Sequence, residues 1–131
     1  MSKILAFGAS SAKDSMNKKL ASFVANKIAP REASLIDLND YEMPIYSDDR
    51  KRDSGIPKKA YDFKNLIKTS KGIIISFAEH NGSYTAAFKN IYDWISVIEK
   101  VVWNNKPMLL LSTSPGARGG KSVLNLSLIH I

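Results

Sequence analysis

The 131 residues contain no cysteine and only two histidines, His80 and His130. Disulfides, thiolate metal sites and a cysteine nucleophile are thereby excluded, and too few imidazoles remain for a histidine-based metal centre or triad. No catalytic side chain and no metal ligand set is assigned, so any chemistry has to come mostly from a cofactor. No apolar run approaches the length of a membrane-crossing helix, and Met1-Ser2-Lys3 leads straight into a strand pattern where a signal peptide would show a long apolar region. The expectation is a cytoplasmic protein with no membrane partner. Acidic residues are outnumbered, giving a net charge of +7, yet the basic residues are spread along the chain. Their one cluster, Arg50-Lys51-Arg52, is flanked by Asp48, Asp49 and Asp53 and reads as a solvated loop. With no nucleic-acid motif beside it, no nucleic-acid partner is expected; the positive potential instead favours phosphates and dinucleotides.

What is present is enough for one domain with a real core, at 44% hydrophobic residues. Four apolar runs read as strands: residues 3–8 (KILAFG), 33–38 (ASLIDL), 73–75 (III) and 108–113 (MLLLST). Each is followed by a helix or a helix start, which is the pattern of an α/β fold with a parallel sheet. Leu20, Phe23, Val24 and Ile28 are expected to face inward on the first helix, which Pro30 ends. A long polar connection, 39–56, precedes a second helix from about Pro57 to Ser70. Phe88, Ile91, Tyr92, Ile95 and Ile98 form the apolar stripe of a third.

Ligands of open α/β sheets bind beyond the carboxyl ends of the strands, so the loops there carry the functional argument. The first, residues 9–17, is dense in hydroxyls. Placed before a helix, it suits a phosphate, because orphan N–H groups and the helix dipole favour an anion. It equally suits an ordinary N-cap by Asp14 or Ser15. The second loop holds Glu79, His80, Asn81, Gly82 and Ser83. The third, residues 112–120, is rich in glycine, which lets a backbone approach a flat ring closely. Its continuation, GARGGKS, ends as a Walker phosphate loop ends, but the first glycine that such a loop requires falls on Pro115. A P-loop nucleotide hydrolase is therefore set aside.

Glu79, Asn81, Ser83, Lys89, Asn90, Asp93 and Trp94 match, in order and spacing, a P-E-Y-N-x-S … L-K-N-x-x-D-W signature. By these residues the chain resembles the NADPH-dependent FMN reductases of flavodoxin-like fold. Ala78, His80 and Phe88 depart from the signature. The family's G-S-x-R-x-x-S-x-N loop is met by Ser10, Ser15 and Asn17, with Ala9 and Ala12 in place of its Gly and Arg and Lys13 next door. Asp37, Leu38, Tyr41, Pro44 and Tyr46 resemble a further segment, where packing is the simpler reading of both tyrosines. Ser112, Gly116, Gly119 and Gly120 match its S-x-x-x-G-x-x-G-G loop.

The resemblance implies a three-layer sandwich with sheet order 2-1-3-4, the fifth strand and helix of the fold being absent. Residues 1–125 would form the domain. Residues 126–131 (LSLIHI) do not look like a continuing helix and match translation of a common sequencing adapter, so a non-native tail is expected there. FMN is the implied cofactor and NADPH or NADH the co-substrate. Ser10, Ser15, Met16 and Asn17 are the implied phosphate-side contacts. Glu79, His80, Asn81, Gly82, Ser114, Gly119 and Gly120 are implied at the isoalloxazine, although His80 reads equally as a surface loop residue. The implied activity is an oxidoreductase passing hydride through flavin to a small-molecule acceptor such as a flavin, quinone, azo dye or metal oxyanion. A homodimer or homotetramer is the implied assembly. The rival is a flavodoxin-type electron carrier, against which stand the basic charge and the lack of a T-x-T-G-x-T loop.

Overall fold

The computed structural model describes residues 3–131. Four strands, β1 (Ile4–Ala9), β2 (Ala33–Leu35), β3 (Gly72–Phe77) and β4 (Met108–Ser112), form one parallel sheet in the order β2-β1-β3-β4. Register aligns Gly8 with Ser76 and Phe77 with Ser112, so β1, β3 and β4 end together. Five helices connect them: α1 (Met16–Ile28), α2 (Asp48–Ser54), α3 (Lys58–Thr69), α4 (Ala86–Ser96) and α5 (Lys121–His130). This is the flavodoxin-like α/β arrangement. Among the described residues no helix is long and apolar enough to cross a membrane.

Alternation along the strands divides the core in two. Leu5, Phe7, Ile73, Ile75 and Phe77 pack with Phe63 and Ile67 of α3, Phe88, Ile91, Trp94 and Ile95 of α4, and Val123 of α5. Ala6 and Ile74 face the other way, onto Ala25 and Val24 of α1. Here the structure departs from the expected helix face. Asn17, Ala21 and Ala25 are the buried positions of α1, while Phe23 and Ile28 are 61% and 58% exposed. The reason is distance: a Cβ on Gly8 would lie 2.3 Å from the Lys18 backbone nitrogen, so the helix sits too close to the sheet for large side chains.

Three other elements differ from the sequence pattern. β2 is only three residues long, because Asp37 turns the chain by accepting from the Asn39 N–H and starts a 3-10 turn at Leu38–Tyr41. α2 lies inside the polar connection. It has no buried residue, and end chemistry supports it: Ser47 accepts from Arg50 N–H, Asp48 and Asp49 begin it, and Lys51 and Arg52 close it. The last helix continues through Leu126 to His130, with Ser127 fully buried and its hydroxyl bonded to the Leu124 carbonyl.

The K-N-x-x-D-W signature has a packing role. Asn90 accepts from Tyr46 N–H at 2.8 Å and donates to the carbonyls of Met43 and Pro44, and Trp94 Nε1 donates to Pro44 at 2.8 Å. Lys89 and Asp93 pair along the helix at 2.7 Å. Tyr46 stands edge-on to Trp94 and Tyr41 edge-on to Phe63, so both tyrosines are packing residues. Lys64 is buried and donates to the carbonyls of Val101 and Val102 and to Asn104 Oδ1, tying α3 to the turn before β4. Burial pushes its amine below the usual lysine range, and Glu99 at 3.4 Å opposes that.

Candidate functional site

Strand order reverses direction between β1 and β3, and a crevice opens at such a switch point beyond the carboxyl ends. The three loops singled out in the sequence all lie there, following the adjacent strands β1, β3 and β4.

The first loop ends in a helix start. Ser15 is the N-cap of α1, its Oγ accepting from Lys18 N–H at 3.2 Å, and Ser10 Oγ accepts from Ala12 N–H at 3.1 Å. Each hydroxyl thereby keeps its own hydrogen to donate. The first-turn amides of Met16 and Asn17 have no intrahelical acceptor, as at any helix start. Met16 is half exposed beside them. Of the nearby cations, Lys18 pairs with Asp37 at 2.6 Å and Lys19 with Asp14 at 2.7 Å. The Lys18 ammonium, and then the Asn39 N–H, hold the Asp37 carboxyl below the usual carboxylate range. Lys13 has no ion-pair partner among the described residues.

Asn17 behaves differently from its neighbours in the loop. It is 4% exposed, and its amide turns inward: Nδ2 donates to the Thr113 carbonyl at 3.1 Å, and Oδ1 accepts from Thr113 N–H at 3.0 Å and from Ser76 Oγ at 2.7 Å.

The second loop is a miniature hairpin. His80 and Ser83 exchange both backbone hydrogen bonds, at 3.0 and 3.1 Å, around Asn81 (φ 54°) and Gly82 (φ 75°). Two consecutive left-handed residues in a two-residue turn account for the Asn-Gly pair on backbone grounds alone. His80, Asn81 and Gly82 are exposed at the turn. Glu79 points away from the turn: its Oε1 accepts from Val123 N–H at 2.7 Å, capping α5, whose own N-cap Gly120 has no side chain to do so. Behind the hairpin, Thr85 caps α4 and donates to the Ala9 carbonyl at 3.0 Å. Burial pushes the Tyr84 phenol up to about 12, and its hydroxyl meets His130 Nδ1 at 2.7 Å.

The third loop turns on Gly119 (φ 59°) and Gly120 (φ 77°), conformations in which a side chain would be strained. Ser112 Oγ donates to the Gly119 carbonyl at 2.8 Å, and Ser114 Oγ accepts from Gly116 N–H at 3.2 Å. Pro115 to Arg118 form the exposed crest.

The structure thus gathers every sequence-expected site residue on three neighbouring loops. Ser10 and Ser15, both largely buried, and the α1 start supply neutral donors, a hydroxyl cup of the chemistry that suits a phosphate. The exposed hairpin and the glycine loop offer open backbone that fits a flat, polar-edged ring. Glu79 and Asn17 instead spend their side chains on the loops themselves. Ser76, Thr85 and Thr113 complete those fastenings and went unnoticed in the sequence; only Thr85, a hydroxyl just before an apolar helix, carried a local signal.

Comparison with known proteins gives one consistent result. Residues 2–130 match the family profile described as NADPH-dependent FMN reductase. A 2-hydroxy-1,4-benzoquinone reductase from a Burkholderia species is 37% identical over 108 residues, covering 82% of this chain and 57% of that protein. A quinone reductase from Escherichia coli K12 is 30% identical over 95 residues, covering 72% and 50%. The chain therefore spans only about half to three fifths of these relatives. Among solved structures, FerB, a flavoenzyme NAD(P)H:(acceptor) oxidoreductase from Paracoccus denitrificans, superposes with a TM-score of 0.77 at 28% identity, over 99% of this chain and 72% of that one. An NADH:FMN oxidoreductase, EMOB, in its apo form, shares the fold at a TM-score of 0.65 and 20% identity, over 98% and 66%.

Proposed function

Because this chain belongs to the NADPH-dependent FMN reductase family, we propose that it forms the FMN-binding part of an NAD(P)H-dependent oxidoreductase. The observation that carries the reading is the convergence of the hydroxyl cup, the Asn-Gly hairpin and the glycine loop at the ends of β1, β3 and β4. Ser10 and Ser15 donate to the phosphate together with the free amides of Met16 and Asn17, and Lys13 adds charge nearby. The backbone of residues 80–82 and 114–120 lies against the isoalloxazine. When bound, FMN supplies the capacity to take hydride from a nicotinamide and pass electrons on. The chain's own residues bind, orient and leave one side of the ring open to substrates; no side chain is assigned as an acid or base. The acceptor is a small oxidised molecule of the quinone, flavin, azo or metal-oxyanion type. A cytoplasmic location and assembly into a homodimer or homotetramer belong to the same proposal.

Titration of FMN against the purified chain, read by quenching of flavin fluorescence, tests it. Saturable binding is expected, and Ser10→Ala with Ser15→Ala should weaken FMN by about tenfold or more while leaving riboflavin, which lacks the phosphate, nearly unchanged. A folded chain that ignores FMN would overturn the reading. Oxidation of NADPH by the FMN-loaded chain with a quinone separates the enzyme from a flavodoxin-type carrier, which needs a separate reductase.

A further inference from the structure

We infer that Asn17 is a positioning residue, a buried clasp that sets the glycine loop after β4, and not a donor to the phosphate. The inference rests on the flavin-binding reading and refines one residue of it.

A primary amide offers one oxygen with two acceptor sites and a nitrogen with two hydrogens. Both acceptor sites of Asn17 Oδ1 are occupied, by Ser76 Oγ at 2.7 Å and Thr113 N–H at 3.0 Å; one Nδ2 hydrogen goes to the Thr113 carbonyl at 3.1 Å, and with the residue 4% exposed the other has little access to a ligand. The orientation is fixed by the partners: a flipped amide would set NH2 against the Thr113 N–H and oxygen against its carbonyl. Asn17 therefore pairs with both backbone groups of Thr113 as a neighbouring strand would, one residue beyond the end of β4. It continues the sheet by one rung at the point where the loop to Gly119 departs.

The approach of α1 makes this reach possible. Gly8, with no side chain, lets the backbone of Asn17 and Lys18 sit directly on β1, and Gly8 is the register partner of Ser76. Ser76 is wholly buried in β3, so it cannot touch a ligand in the crevice. It holds the Asn17 oxygen from below. The other end of the same loop is fixed by Glu79 on Val123 N–H. Losing Asn17 would leave the Thr113 groups and the Ser76 hydroxyl without partners in a mostly buried place, and the loop entrance would shift to find others.

A positioning residue and a phosphate donor predict different ligand patterns. Asn17→Ala and Ser76→Ala would be titrated with FMN and with riboflavin, beside Ser15→Ala, and the visible spectrum of the bound ring recorded at saturation. Expected for Asn17→Ala is a loss of about tenfold for both ligands alike, with a bound spectrum displaced toward that of free flavin. Ser76→Ala should reproduce the same pattern more weakly, and it covers the case in which Asn17→Ala does not fold. Ser15→Ala should weaken FMN selectively. Loss of FMN affinity alone in Asn17→Ala, or an unchanged bound spectrum in both clasp variants, would overturn the inference while leaving the flavin reading standing. No flavin binding by the unaltered chain would overturn both.

Discussion

On one face of the sheet Leu5, Phe7, Ile73, Ile75 and Phe77 meet three helices and a continuous aromatic cluster; on the other, Ala6, Gly8, Ile74 and Ser76 meet α1 alone. Phe7, Phe63, Phe77, Phe88 and Tyr84 contact one another at centroid separations of 5.0 to 6.4 Å, and Trp103 stacks on Phe88 at 6.3 Å. Such pairs add to an already large burial of apolar area. The α1 face has little volume to bury, and its coherence comes from close backbone approach and the polar clasp around Asn17. Phe23 on α1 and Leu109 on β4 stay exposed beside it. The contrast teaches a division of labour: the thick face supplies most of the stability, and the thin face positions the loops.

The sharpest way to break that comparison is at Phe63, which is fully buried and edge-on to both Phe7 and Tyr41. Phe63→Ala should cost about 3–5 kcal/mol in denaturant unfolding, the range for a truncated core aromatic. A loss below about 1 kcal/mol would mean that the thick face does not carry the fold. Next in size is Gly8→Ala. The new methyl would sit 2.3 Å from the Lys18 nitrogen and 2.8 Å from the Asn17 carbonyl carbon, both backbone atoms that move only with the helix. The expected cost is about 1–3 kcal/mol. In contrast to Phe63→Ala, the folded fraction should also lose affinity for riboflavin, because Asn17 moves with α1. Undiminished riboflavin affinity in a folded Gly8→Ala chain would erase the distinction between the faces.

The same contrast decides what could be read from the sequence. The strands are legible because apolar runs bounded by polar loops admit few alternatives, and their order follows from the family resemblance. The family signature placed the three loops. The inward face of α1 was misread, since ranking by hydrophobicity puts Phe23 and Ile28 inside, whereas a sheet surface of Ala6 and Gly8 admits only Ala21, Ala25 and the slender Asn17. α2 gave no signal because capping and charge support it without a buried stripe. The resemblance makes Asn17 and Glu79 ligand contacts, and their side-chain chemistry serves a cofactor or a loop equally well. Their partners, Thr113 and Val123, lie 96 and 44 residues away in the chain, beyond any local pattern.

The smallest expected effect sharpens the comparison at the edge of the thin face, where the Lys18–Asp37 pair ties α1 to the chain leaving β2. Asp37 has its carboxyl held below the usual carboxylate range, first by the Lys18 hydrogen bond and next by the Asn39 N–H. A carboxylate lowered in the folded state contributes stability that is fully present above its unfolded value and is lost as pH falls through its folded one. Both partners are partly exposed, at 45% and 28%, so the contribution is at most about 1 kcal/mol and is screened by salt. Asp37→Asn should therefore lower the unfolding midpoint slightly at neutral pH and low salt. The gap between the two chains should shrink as the pH falls below the usual aspartate range and close once it passes the lowered folded value, where the wild-type carboxyl becomes protonated. A gap that persists undiminished there would show that the contribution of Asp37 does not come from its charge, and that even this edge of the thin face does not depend on ionisation.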